Sequence, residues 1–287
     1  MPVHDDLGVR MVVISIPNKT AKDIENTIIQ DYKDGYGTNF LSDKYQLHRS
    51  TIQRILKRNN IVLRNGSPYN HYNIYFFDQY NPESVYWAGF ICADGYIRDD
   101  RDAISIHLCN ADNSHLYKIK ELTKYEGNIS NSNNECSITF SGKWYSESLL
   151  KNYSLTPRKA HIVEINNNIP IDMLCHYIRG IFDGDGCIYD LRGYPAISFS
   201  SSSEKMLNGL IKIFKEQVGV QLQTKDKQPK INGIQICYTC DNAMKILDWM
   251  YKSSVYLTRL DRKYNKYLSY VNKRYEKKKY TQNIKIV

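Results

Sequence analysis

The chain has 287 residues, and its content of 42% hydrophobic and 24% charged residues is typical of a globular protein with a sizeable core. The formal net charge of +9 favours a polyanionic partner, and nine lysines and arginines against one acid lie between Arg262 and Val287. Seven scattered cysteines and the lack of a long apolar run argue against a disulfide framework and a membrane span. We therefore expect an intracellular protein with no membrane partner, in the cytoplasm or nucleoid of a bacterial or phage-infected host, or in an organelle.

The N-terminal residues predict an arm followed by three helices. Residues 1–19 form the arm, and the stretch AKDIENTIIQDYKDGY then places Ile24, Ile28 and Ile29 on one helical stripe that ends at Gly35. The following stretch, NFLSDKYQLHRSTIQRILKRNNI, predicts a short helix, a turn and a second helix.

This plan, at residues 20–65, resembles a helix-turn-helix DNA-binding domain, whose last helix enters the major groove. Five basic residues and no acid lie between Arg49 and Arg64, which favours contact with DNA. The alternative is a small helical bundle with a solvated basic face. The candidate DNA contacts of this domain are Arg49, Ser50, Thr51, Gln53, Arg54 and Arg58. The turn-rich, polar residues 66–74 predict a linker.

From residue 75 onward the chain repeats itself. Residues 103–130 align without a gap on residues 196–223, and each half has the pattern of a helix, two strands, a helix, two strands and a helix. We predict an α+β fold with tandem αββαββα repeats at 75–168 and 169–270, followed by a basic tail at 271–287.

A nine-residue motif opens each repeat, WAGFICADG at 87–95 and IRGIFDGDG at 178–186. In a helix, Gly89 and Ala93 share one face, as do Gly180 and Gly184, because residues four apart lie one above the other. Small residues at this spacing let two helix backbones approach closely. Such packing offsets the roughly 1 kcal/mol that a glycine costs inside a helix. We expect the two helices to pack side by side as a pseudo-twofold pair.

A pair of this kind brings Asp94 and Asp185 together at one end. Adjacent carboxylates repel each other unless a cation lies between them. Oxygen ligands suit Mg²⁺, which is commonly held by carboxylates together with the phosphates of a substrate. Metal ions held in this way activate water and stabilise a leaving oxygen, so the pair is suited to phosphodiester hydrolysis.

The two motifs resemble the signature of the LAGLIDADG homing endonucleases in their two-motif, monomeric form, with a resemblance that covers about residues 75–270. The first motif matches at Ala-Gly and Ala-Asp-Gly, and the second at its first Gly and in its Asp-Gly-Asp-Gly spacing. The resemblance implies that Asp94 and Asp185 are the catalytic, metal-binding acids and that the backbone of Ala93 and Gly184 belongs to the metal site. It further implies a monomer that cuts double-stranded DNA with Mg²⁺, or with Mn²⁺ in its place, one strand per repeat.

The family also commonly has a basic residue near the metals late in each repeat. Lys159 and Lys263, each preceded by an arginine, fall at comparable places in the two halves, so the resemblance implies this role for them. A lysine there would polarise water or stabilise charge on the phosphate. The alternative is a solvated charge near the start of a helix.

Two residues depart from the family pattern. Cys92 replaces the first acid of the motif, which Asp183 keeps, so we assign no metal role to that position. Arg179 stands where a small residue is usual, and we expect its side chain to point outside the helix pair.

The resemblance implies curved sheets that form a saddle over the DNA. In the strand AISIHL, Ile104 and Ile106 alternate with Ser105 and His107, which predicts an apolar face toward the helices and a polar face outward. Strands can read bases in the major groove, and basic side chains can hold phosphates. The candidate DNA contacts on the sheets are Arg98, Arg101, Ser105, His107, Tyr189, Arg192, Ser198, Ser200, Lys225 and Lys227.

Other interpretations of these segments are weaker. An EF-hand loop at DGDGCIYD fails because Ile188 occupies the position that requires glycine. Cys237 and Cys240 have metal-pair spacing but lack a second cysteine pair to complete a zinc site. The strongest rival is a catalytically silent DNA-binding regulator, or an intron-RNA maturase, on the same scaffold.

Overall fold

The chain divides into two units, Met1–Pro68 and Tyr69–Val287. A computed structural model describes residues 21–33, 36–63, 72–100, 102–222, 227–230 and 233–284. The predicted arm, Gly35 and most of the predicted linker lie outside these residues, as do the candidate contacts Arg101 and Lys225.

The first unit contains the three predicted helices, α1 (Ala21–Lys33), α2 (Thr38–Tyr45) and α3 (Arg49–Arg58). Gln46 ends α2 in a left-handed backbone conformation, with φ of 52°, and its amide donates to the last turn of the helix. The side chain of His48 accepts a hydrogen bond from the Ser50 amide and so caps the start of α3. The buried core of the unit consists of Ile28, Tyr32, Leu41, Ile52, Ile55 and Leu56.

The second unit contains the two repeats, in the predicted order of elements. The first repeat comprises α4 (Pro82–Asp94), β1 (Gly95–Ile97), β2 (Ala103–Cys109), α5 (Asn113–Thr123), β3 (Ser130–Asn131), β4 (Glu135–Ser141) and α6 (Trp144–Tyr153). The second comprises α7 (Leu174–Asp185), β5 (Cys187–Leu191), β6 (Tyr194–Ser201), α8 (Glu204–Ile213), β7 (Lys227–Lys230), β8 (Gly233–Thr239) and α9 (Cys240–Tyr251).

Each repeat forms a four-stranded antiparallel sheet, with strand order β1-β2-β4-β3 in the first and β5-β6-β8-β7 in the second. In β2, Ile104 and Ile106 are buried in the core beneath the helices, and Ile197 and Phe199 occupy the same position in β6. These findings confirm the α+β class and the apolar faces that strand alternation predicted.

A tenth helix, α10, extends over Asp261–Ile284. The sequence placed a boundary between a repeat and a basic tail at residues 270 and 271, but the helix continues through it. Tyr267 and Tyr270 on this helix are buried against the second repeat. The predicted tail therefore continues a helix that is packed on the repeat, and is not a separate element. No helix in the described ranges has the length and apolar character needed to cross a bilayer.

Candidate active site and nucleic-acid interface

Helices α4 and α7 are in backbone contact along their small residues. A Cβ atom added to Gly89 would lie 2.0 Å from the carbonyl oxygen of Tyr177, and one added to Gly180 would lie 2.1 Å from that of Tyr86. Only glycine fits at either position, because real Cβ atoms do not approach other atoms so closely. Both glycines lie inside their helices, so α4 and α7 pack side by side at these two positions.

The helix pair brings its two terminal acids together. α4 ends at Asp94 and α7 at Asp185, and a Cβ added to the neighbouring Gly184 would be 3.3 Å from the Asp94 carboxylate. Burial and then the charge of Asp185 raise the pKa of Asp94 to about 6. Asp185 is exposed by surface area, yet the protein around its carboxyl group excludes enough water to raise its pKa as well.

Among the residues that the structure describes, neither acid has a side-chain partner that would neutralise it. Within the described ranges, no side chain forms an ion pair or a hydrogen bond with the carboxylate of Asp94 or Asp185. The described ranges also contain no group of three or more histidine, cysteine, aspartate or glutamate side chains that would enclose a metal by themselves. Among the described side chains the site therefore offers two carboxylates, and any further oxygen would come from the backbone, water or a ligand.

The two late lysines lie at the ends of the same helices. Lys159 donates to the carbonyl of Gly95, 2.5 Å away, just beyond the end of α4. Lys263 donates to the carbonyls of Phe182, Asp183 and Gly186, at 2.5, 2.8 and 2.6 Å, and so caps the end of α7. Cations stabilise these orphan carbonyls, both by hydrogen bonding and through the helix dipole.

Both lysines also act electrostatically on the acids. The positive charge of Lys263 lowers the pKa of Asp94 and of Asp185, in opposition to burial, and Lys159 lowers that of Asp185. Burial in turn lowers the pKa of Lys263 to about 8 and also lowers that of Lys159. The lysines are thus near the acids, but their donors are engaged by backbone carbonyls.

Asp183 and Arg179 hold the connection between α9 and α10. Asp183 is buried and accepts hydrogen bonds from the hydroxyls of Tyr86 and Tyr251 and from the amide of Leu260. Arg179 is fully buried and donates to the carbonyls of Met250 and Thr258. We expected the Arg179 side chain to point outside the helix pair, and its guanidinium does reach the connection between α9 and α10. The sequence did not predict that this connection buries it.

Each late segment docks on the opposite repeat. The segment 256–262 accepts hydrogen bonds from Trp87 and Lys118 of the first repeat, and Arg262 pairs with Asp112 there. The segment 159–163 accepts hydrogen bonds from the hydroxyls of Ser202 and Ser203 in the second repeat. The lysine that caps each motif helix is therefore carried by a segment that the other repeat holds in place.

Comparison with known protein families matches this part of the chain to one domain type. Residues 172–274 match a LAGLIDADG-like domain. The match begins just before α7 and ends within α10, so it contains Asp185 and Lys263.

Several solved structures are similar to the chain, at low identity. The meganuclease I-SmaMI bound to uncleaveable DNA is 13% identical, with 67% of this chain and 89% of that chain covered and a TM-score of 0.47. Full-length DUF199/WhiA from Thermatoga maritima is 15% identical, with 75% and 71% covered and a TM-score of 0.44. The LAGLIDADG homing endonuclease I-GzeII in complex with its DNA target is 17% identical, with 70% and 92% covered and a TM-score of 0.45. No curated protein sequence matches the chain significantly.

The candidate DNA contacts on the sheet of the second repeat differ in solvent exposure. Arg192 is exposed at the turn between β5 and β6, and Tyr189 and Ser200 are partly buried. Ser198 is 5% exposed, so its side chain is not accessible to DNA. Lys227 is the first residue of β7, paired with Ile236.

The candidate contacts of the first repeat need a similar correction. His107 is exposed and contacts Glu135, and Arg98 pairs with Asp100 at 2.7 Å. Ser105 is only 3% exposed, and its hydroxyl shares a hydrogen bond with Thr139 on the neighbouring strand. Alternation predicted an outward, accessible position for Ser105 and Ser198, but both side chains are buried, so neither is accessible to DNA.

Two exposed tyrosines on the sheets escaped the sequence reasoning. Tyr96 pairs with Ser105 in the register of β1 and β2, and is 49% exposed. Tyr194, at the start of β6, is 50% exposed. Tyr96 alternates with the buried residues Gly95 and Ile97, a pattern that only the structure reveals.

On α3 the exposed candidate contacts are Arg49, Ser50, Arg54 and Arg58, whereas Thr51 and Gln53 are partly buried. Arg58 forms an ion pair with Glu25 of α1, and Arg49 donates to the hydroxyl of Thr38. Among the described residues of this unit, Arg54 has one hydrogen bond, to the Thr51 hydroxyl on its own helix at 3.5 Å. Arg54 is therefore the arginine of α3 that is least engaged by the neighbouring helices.

Proposed function

We propose that this protein is a site-specific double-strand DNA endonuclease of the homing type. The observation that carries the proposal is the meeting of Asp94 and Asp185 at the ends of two helices in backbone contact, with no cationic side chain of the described residues paired to either carboxylate. A site that only supported the fold would gain from pairing these acids with Lys159 and Lys263. Both lysines instead donate to carbonyls, and the acids keep their oxygens for a ligand.

The two acids suit a divalent metal such as Mg²⁺. One or two carboxylates with substrate phosphates and water are its usual ligands in phosphoryl chemistry. Asp94 and Asp185 would hold the ion or ions, which would activate water and stabilise the leaving oxygen when bound. The backbone at Ala93 and Gly184 would lie beside the metal, and Mn²⁺ would substitute.

The remaining residues would place those carboxylates. The glycine contacts set the spacing of the helices, while Lys159 and Lys263 fix the helix ends and reduce the repulsion between the acids. Lys159 and Lys263 would also favour a phosphate near the acids through their charge.

DNA would be held by basic and polar groups of both units. Arg54 and its neighbours on α3 would enter a major groove as in helix-turn-helix proteins. On the sheets, His107 and Arg192 are the exposed members of the predicted set that the structure describes, and Arg98, Tyr189 and Ser200 are partly exposed. A monomer with two such repeats would cut one strand with each.

The test is selection of cleaved sites from a genomic or randomised duplex library with Mg²⁺. We expect the parent protein to yield one recurring site, and Asp94→Asn and Asp185→Asn each to lower its cleavage by at least about 100-fold, since loss of a ligand should exceed the loss of a group that merely orients one. Glu121→Gln, which removes an exposed carboxylate from α5, is the matched control and should cut normally.

The regulator remains distinguishable by the same assay. If the parent protein selects one DNA sequence by binding but cuts nothing with Mg²⁺ or Mn²⁺, the scaffold is a DNA-binding regulator and the nuclease proposal is wrong. Cleavage that survives in both asparagine variants would also refute the assignment of the acids.

A further inference from the structure

We propose that the two ends of the helix pair are unequally fixed, because Cys92 leaves the Asp94 end without the anchor that Asp183 gives the Asp185 end. Corresponding residues of α4 and α7 are 91 positions apart, which pairs Tyr86 with Tyr177, Cys92 with Asp183 and Gly95 with Gly186. The consequence for DNA, namely that the strands are cut at different rates, rests on the proposed function. The inequality of the helix ends does not.

At the Asp185 end the anchor is complete. The Tyr86 hydroxyl donates across the helix pair to Asp183 at 2.8 Å. Tyr251 and the Leu260 amide donate to the same carboxylate, at 2.5 and 2.8 Å, so the last turn of α7 is tied to α4, to α9 and to the start of α10. Hydrogen bonds to a buried charged group are among the strong ones.

At the Asp94 end the equivalent bond is missing. The Tyr177 hydroxyl is buried beside the Cys92 thiol, and no oxygen or nitrogen in the described part of the chain accepts from it. Sulfur is a weak acceptor, so this contact does not replace a bond to a carboxylate. The last turn of α4 therefore lacks the cross-helix bond that its counterpart has.

The capping lysine at the Asp185 end is also held more firmly than the one at the Asp94 end. Lys263 reaches four carbonyls within hydrogen-bond distance at the end of α7, while Lys159 reaches the carbonyl of Gly95. The segment that carries Lys263 is held by charged groups, Lys118 and the pair of Arg262 with Asp112. The segment that carries Lys159 is held by two serine hydroxyls, and the ion pairs of its flanking residues Arg158 and Glu164 lie at the surface, whereas Lys118 is buried.

Two equivalent amides report on the two ends. The Gly95 amide donates to the carbonyl of Ile91, and the Gly186 amide donates to that of Phe182. Each closes the last turn of its helix, one residue after the acid. Local opening exposes such an amide to exchange with solvent, so its exchange rate measures how firmly the acid is positioned.

The experiment is amide hydrogen exchange on the metal-free, full-length protein. We expect the Gly95 amide to exchange roughly tenfold faster than that of Gly186, the factor set by one hydrogen bond of ordinary net strength, after correction for intrinsic rates. Tyr86→Phe should speed exchange at Gly186, whereas the matched Tyr177→Phe should change exchange at Gly95 little. Equal protection of the two amides, or equal effects of the two variants, would overturn the proposal.

A gain-of-contact variant tests the role of Cys92 as a positioning residue. Cys92→Asp should slow exchange at Gly95, and the addition of Tyr177→Phe should cancel that gain, since the hydroxyl would be the donor to the new carboxylate. If Cys92→Asp does not fold, the two tyrosine variants still decide the question.

On a duplex labelled separately on each strand, the parent protein should cut one strand faster than the other by roughly tenfold. Cys92→Asp should bring the two rates closer together. Equal strand rates in the parent protein would refute this consequence. Cleavage of neither strand would refute the proposed function, while the exchange experiment would still stand or fall by itself.

Discussion

Replacement of Gly180 by alanine gives the most direct test of the helix pair. The added Cβ would lie 2.1 Å from the Tyr86 carbonyl oxygen and 2.6 Å from the Phe90 nitrogen, both backbone atoms of α4. Because ordinary contact begins at 3.4 Å, the helices would have to separate by about 1.3 Å. No side-chain rearrangement can relieve a clash with backbone.

The sign of the effect on stability distinguishes packing from helix propensity. Alanine is favoured over glycine in a helix by about 1 kcal/mol, whereas overpacking costs about 1–3 kcal/mol and sometimes more. Since this clash involves the backbone, we expect a net loss of at least about 2 kcal/mol in the free energy of unfolding. For a unit of this size that loss lowers the melting temperature by about 4–8 °C.

The assay is thermal unfolding of the parent protein, Gly180→Ala and a matched control. Gly209 lies inside α8, and the Cβ added by Gly209→Ala would lie 3.4 Å from the Ile165 side chain, which is an ordinary contact distance. Helix propensity alone should therefore act there and raise the free energy of unfolding by up to about 1 kcal/mol. A Gly180→Ala protein that melts at or above the parent temperature, beside a normal control, would show that α4 and α7 are not in backbone contact.

Three further predictions concern charge. The raised pKa of Asp94 means that the folded state binds the proton of this carboxyl more tightly than the unfolded state, so the parent protein should gain stability as the pH falls from about 6 to 3.8. Above pH 6, Asp94→Asn should exceed the parent protein in free energy of unfolding by up to about 3 kcal/mol. A difference between the two proteins that grows on acidification would contradict this. Lys263→Met should lower the free energy of unfolding by about 1–3 kcal/mol for each buried carbonyl that it leaves without a donor, as measured by urea unfolding, whereas the exposed Lys245→Met should have little effect. Arg54→Ala should reduce the slope of log affinity against log salt concentration by about 1 in a DNA-binding titration, and an unchanged slope would exclude Arg54 as a phosphate contact.

The sequence predicted the repeats, the helix pair and the meeting of its acids, because each depends on local spacing. Glycines four residues apart specify a close-packing face, and the Asp-Gly ending specifies where the helix stops. The same pattern then recurs 91 residues later, which supplies the partner. The strand alternation around Ile104 and Ile197 was predictable for the same reason.

The rest depends on contacts between distant segments that leave no local pattern. Lys159 and Lys263 were recognisable as paired cations, but their acceptors are backbone carbonyls, which every residue possesses. The burial of Arg179 follows from a connection that begins more than 70 residues later, at Met250. Ser105 became buried because Thr139 lies beside it across the sheet, a pairing that the sequence of one strand does not contain.

The reciprocal docking of the late segments limits how this chain can be recombined. A hybrid that joins the second repeat to the first repeat of another protein would lose Trp87, Asp112 and Lys118, and with them the seat of the segment that carries Lys263. The opposite hybrid would lose Ser202 and Ser203, the seat of the segment that carries Lys159. Exchange of halves between two such proteins would therefore need these few residues transplanted along with the exchanged repeat.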